Sequence, residues 1–78
     1  MTRSLRYWTR DMVLARLKAQ STIDELGGRM PATSAARKIE LAQIISDVES
    51  GRATPTQATA RFNAVSSRAQ LASRQPAA

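Results

Sequence analysis

From Trp8 onward, apolar residues recur at the period of an α-helix in three separate runs. No other feature constrains the fold as much. Trp8, Met12, Ala15, Ala19, Ile23 and Leu26 follow one another at steps of four and three, so they line one side of a helix. Leu41, Ile44, Ile45 and Val48 take the i, i+3, i+4, i+7 spacing of a second buried face, which Ile39 and Ala42 are expected to widen. Ala58, Phe62, Val65, Ala69 and Ala72 form a third stripe, made mostly of alanine. Period two is absent, and a strand through "LAQII" is the weaker reading of that segment.

Local signals punctuate these runs. Thr9 is a suitable N-cap, with Asp11 in the first turn where a helix dipole favours negative charge. Gly27-Gly28 is expected to end the first helix through a left-handed glycine. The stretch "GGRMPATS" reads as a linker, with Thr33 or Ser34 capping the second helix, which Gly51 ends. Thr54-Pro55-Thr56-Gln57 is the clearest start signal: threonine at N-cap, proline at N1 and glutamine at N3 form a capping box. Helices are predicted over about 9–26, 34–50 and 55–73. The fold class is all-α, a helical hairpin or three-helix bundle in one domain, with residues 1–5 and 74–78 frayed.

Only 78 residues are available, and the aromatic side chains are Tyr7, Trp8 and Phe62. Such a chain buries a small core, and self-association is the remaining route to a larger one, because neither cysteine nor histidine is present. A homodimer is therefore expected. The same absences argue against disulfides, a metal site or a cofactor. Catalysis is not expected: Ser66 and Ser67 have no base at a suggestive spacing, and Asp24-Glu25 and Asp47/Glu49 are ordinary helix-end acids.

Charge is distributed unevenly. Arg3, Arg6, Arg10, Arg16 and Lys18 outweigh Asp11 at one end, and no acid follows Glu49, so two basic ends flank a mildly acidic middle within a net charge of +6. This field suits an acidic partner, nucleic acid or protein. No apolar run is long enough for a membrane span or a secretory signal, so a cytoplasmic protein without membrane contact is expected.

Residues 49–62 raise the question of a DNA-reading helix-turn-helix. That motif places a glycine about four residues after a small buried alanine and an aliphatic anchor further on. Here Ser46 lies four residues after Ala42, Asp47 lies four before Gly51, and Gln57 stands where the anchor belongs. A plain αα-hairpin is the better expectation. The third helix nonetheless should display Thr56, Gln57, Thr59, Asn63, Ser66, Ser67 and Gln70, with Arg61 and Arg68 on one flank. Arg52, Arg61, Arg68 and Arg74 are the candidate nucleic-acid contacts, and such binding is expected to be non-specific.

The first helix carries a second apolar patch. Val13, Leu14 and Leu17 project away from the Trp8–Leu26 stripe, with Arg10, Arg16 and Lys18 as a rim and Tyr7 and Trp8 nearby. Apolar centre and cationic rim are the composition of a protein-binding surface. A dimer seam, or a central helix buried all round, would account for it as well. The favoured function is a small regulatory protein that binds an acidic or apolar groove of a larger protein and so inhibits or redirects it. Chains of this size and character recur among phage and plasmid products acting on host factors. The alternatives are a DNA- or RNA-binding accessory protein using the basic ends, and a structural or assembly protein.

Overall fold

The computed structural model describes residues 8–74, which form three helices: α1 (Arg10–Gly27), α2 (Pro31–Glu49) and α3 (Pro55–Arg74). The expected frayed segment 1–5, Tyr7 and residues 75–78 lie outside the described residues, and Arg74 closes α3.

Two of the three starts follow the sequence signals. Thr9 Oγ1 accepts from the Met12 amide at 3.2 Å, and the Met12 sulfur accepts from the Thr9 amide at 3.4 Å. At α3 the Gln57 amide donates to Thr54 Oγ1 at 3.1 Å while Gln57 Oε1 accepts from the Thr54 amide at 3.0 Å. Both are reciprocal caps that satisfy two otherwise orphaned amides.

The corner between α1 and α2 departs from expectation. α2 begins at Pro31, three residues early, and Met30 is its N-cap without any side-chain cap. Proline at N1 has its φ preset for a helix and lacks one of the orphan amides of the first turn, which favours a start there even without a side-chain cap. Neither Thr33 nor Ser34 caps it. Ser34 is buried, and its hydroxyl donates across the corner to the Ile23 carbonyl at 3.0 Å. Nor is a left-handed glycine used: Gly27 is the last residue of α1, and Gly28 has right-handed φ −72° and ψ −21°. Gly27 serves by being small, since a Cβ there would meet Ser34 Oγ at 3.2 Å.

The end of α2 shows the left-handed device instead. Gly51 has φ +81°, its amide donates to Val48 O at 3.1 Å, and the Arg52 amide reaches Asp47 O at 2.8 Å. This pair of bonds is a Schellman motif, which reverses the chain into the Thr54 cap.

The helices run up, down and up. Trp8, before α1, stacks on Phe62 near the start of α3, with ring centroids 5.9 Å apart. At the opposite ends Arg29 donates to the Ser73 carbonyl at 3.0 Å, so α1 and α3 are parallel neighbours and share the largest contact. α2 is antiparallel to both, and the 49–62 corner is the αα-hairpin expected. The core is the three stripes brought together: Met12, Ala15, Ala19, Ile23 and Leu26; Leu41, Ile44 and Val48; Ala58, Phe62, Val65 and Ala69. Alanine on both α1 and α3 permits close backbone approach. Phe62, Met12, Ile23, Leu26 and Val65 are the largest fully buried side chains.

Three side chains lie elsewhere than expected, as helical geometry requires. Ile39 is 71% exposed and Ala42 is exposed as well, so neither widens the α2 stripe. Two residues at 100° each put Ile39 about 200° round the helix from Leu41. Ser66 is buried, not displayed, and its hydroxyl has no hydrogen-bond partner. It follows Val65 on the inward edge of α3.

Candidate protein-docking face

The outer side of α1 is where unpartnered apolar surface concentrates. Val13 is 38% exposed, Leu14 54% and Leu17 53%, while Met12, Ala15, Ala19, Ile23 and Leu26 of the same helix are buried. Successive residues turn about 100°, so Leu17 sits one turn from both Val13 and Leu14 and the three form one contiguous patch. Ile39 and Leu71 are also exposed, but among the described residues each is the one large exposed apolar side chain of its helix, and single exposed apolar residues are ordinary.

The expected cationic rim is only partly assembled. Arg10 and Lys18 are exposed beside the patch. Arg16 turns away: its guanidinium lies 5.0 Å over the Trp8 ring, which in turn lies on Phe62. Trp8 and Arg16 thus form a capped edge of the core through a cation–π contact. Trp8 is half-buried, and its share in any docking surface is limited to its outer edge. Beside Leu14 a shallow groove runs between α1 and α3, lined by Asp11, Leu14, Ala15, Lys18, Thr59 and Asn63.

The arginines of the third helix are placed differently. Arg61 donates to Asp47 at 2.8 Å, Arg52 lies 3.8 Å from the same carboxylate, and Arg68 meets Glu40 at 3.1 Å. Glu40 is also paired with Arg37, one turn earlier on α2, at 3.0 Å. Two rows of ion pairs, seven residues apart on each helix, therefore stitch α2 to α3. The Arg61 hydrogen bond, helped by Gln43 and by the charges of Arg61 and Arg52, holds the Asp47 carboxyl below its ordinary pKa against the opposing effect of burial. Arg74, at the end of α3, is exposed.

Of the sequence-derived candidates, then, Val13, Leu14 and Leu17 are gathered with Arg10 and Lys18. Arg16 joins Trp8 in a second, adjacent cluster, and Tyr7 lies outside the described residues. The Asp47 and Glu40 junctions were not anticipated. Their signal was present in retrospect: acids seven apart on α2 and arginines seven apart on α3 match once the helices are set antiparallel.

No known family matches the chain, and neither curated proteins nor solved structures provide a match. Among the described residues no cluster of three acidic side chains has the geometry to hold a metal, and no helix is long and apolar enough to cross a membrane.

Proposed function

We propose that this chain is a small non-enzymatic binding protein that occupies a surface of a larger protein and thereby inhibits or redirects it. It would act in the cytoplasm, with the outer face of α1 as the docking surface. The supporting observation is the contiguous exposure of Val13, Leu14 and Leu17 on a helix whose other side already fills the core. An apolar patch rimmed by polar and cationic groups loses water favourably only against another apolar surface, and Arg10 and Lys18 select for an acidic border around it. Nucleic-acid binding is the weaker reading. Arg61 and Arg68 each have a carboxylate partner, and Arg52 lies at the edge of the same network, so much of the positive field at that corner is neutralised.

A tagged pull-down, run at low and moderate salt with and without nuclease, tests the reading. A defined partner should be recovered in stoichiometric amount under all four conditions and be lost with Leu17→Asp. Recovery that disappears with nuclease or falls steeply with salt, and that depends on Arg61 and Arg68, would transfer the function to nucleic acid.

A further inference from the structure

The outer face of α1 repeats at a helix–helix spacing and carries opposite charges at its two ends. Arg10, Leu14, Leu17, Ser21 and Asp24 follow at steps of four, three, four and three, the spacing of a seam between two helices. Its centre is apolar, its first position is basic and its last is acidic. On the flank facing α3, Asp11 and Lys18 border the groove beside Leu14. Among the described residues, Arg10, Asp11, Lys18 and Asp24 take part in no ion pair.

We infer that a second copy of this chain packs its α1 antiparallel on this face, about a two-fold axis midway between Leu14 and Leu17. This rests on reading the face as a docking surface, and adds that the protein masks it by self-association until a partner competes. In that arrangement Leu14 of each copy meets Leu17 of the other, and Val13 fills the edge of the contact. Each Lys18 comes level with the Asp11 of the second copy to within about 3 Å along the axis, and each Arg10 reaches the Ser21–Asp24 end. The flank charges Lys18 and Asp11 thus face their opposites, and each Asp24 lies about 4.5 Å along the axis from the Arg10 of the other copy. A parallel pairing would set Arg10 on Arg10 and Asp24 on Asp24 along the seam. A two-fold contact is self-complementary by construction, which is what this pattern supplies.

The seam runs over 15 residues, Arg10 to Asp24, about 21 Å of helix. That is a short contact, below the size of a standard stable interface, so the dimer should be weak and concentration-dependent. Weakness suits a surface that must be released to a partner.

Because the chain lacks cysteine, single cysteines report the arrangement directly. Arg10 and Ser21 of opposite copies lie level in the antiparallel seam, whereas Arg10 and its own counterpart are about 16 Å apart along the axis. A mixture of Arg10→Cys and Ser21→Cys should therefore form a disulfide-linked heterodimer on mild oxidation, well in excess of either homodimer. Sedimentation of the wild type should show dimers at about 100 µM that dissociate on dilution. Lys18→Glu and Asp11→Lys should each weaken self-association roughly three- to tenfold, and mixing the two variants should restore it, since both cross-chain pairs are then opposite again. Within one chain these residues stand about 10 Å apart, too far to pair, so recovery on mixing has no intramolecular explanation.

A wild type monomeric throughout the concentration range overturns the inference. So does a yield of the disulfide-linked heterodimer no greater than that of the homodimers, or a charge-variant mixture as weak as its components. A monomer that still captures a partner through Leu17 would leave the proposed function standing alone, and a dimer that captures nothing would do the reverse.

Discussion

The α1–α2 corner allows a sharp test of how the fold is specified, through Gly27→Ala. Two effects compete. Alanine near the end of a helix gains up to about 1 kcal/mol in propensity over glycine. Against this, the new Cβ would stand 3.2 Å from Ser34 Oγ, tighter than an ordinary contact. The hydroxyl has to rotate away and gives up its 3.0 Å bond to Ile23 O. Ser34 is only 2% exposed, so the displaced hydroxyl finds no water, and a buried unsatisfied group costs about 1–3 kcal/mol. The loss exceeds the gain, and Gly27→Ala should destabilise by about 1–2 kcal/mol. For a domain of this size that lowers the midpoint by roughly 4–16 °C. Ser34→Ala alone should be mild, because Ile23 O merely loses an extra donor, and alanine partly compensates through its helix propensity. With the hydroxyl gone, the Gly27 Cβ faces only the residue 34 Cβ at 3.7 Å, an ordinary contact, and Gly27→Ala should become stabilising. Thermal and urea unfolding of the four proteins, followed by circular dichroism, gives the cycle. If Gly27→Ala stabilises the wild type, or costs as much with alanine at 34 as with serine, the close-approach argument is wrong.

The two faces of the bundle should respond unequally to substitution. Leu17, at 53% exposure, contributes only about half of a buried leucine's 1.5–3 kcal/mol, so Leu17→Asp should cost about 1–1.5 kcal/mol with helicity retained. Phe62→Ala removes the most buried aromatic and the platform under Trp8, and should cost about 3–5 kcal/mol, unfolding most of the protein and shifting Trp8 fluorescence. For Asp47 the folded pKa lies below the ordinary value of 3.8. Its contribution is therefore present above about pH 4 and is lost as pH falls through the folded value. Asp47→Asn should flatten the acid limb of the stability profile below that pH while also loosening the α2–α3 corner, and an unchanged acid limb would remove Asp47 from that role.

Much of this architecture was legible in the sequence because it rests on local physics. The helical period of the stripes, the Thr9 and Thr54 caps and the Gly51 terminator each involve residues within a few positions of one another, so spacing alone predicts them. The same holds for the exposed patch, since Val13, Leu14 and Leu17 must point away from a stripe on their own helix. What tertiary structure decided involves residues that meet only after the chain reverses. Ser34 looked like a cap, yet its hydroxyl serves Ile23, eleven residues away, which sequence spacing does not reveal. Arg61 and Arg68 looked free for phosphates until the antiparallel setting of α2 and α3 laid Asp47 and Glu40 beside them. Arg16 left the expected rim because Trp8, stacked on Phe62 from another helix, offered its ring face instead. Local patterns state which surfaces a helix has, and the pairing of helices determines which of those surfaces remain available.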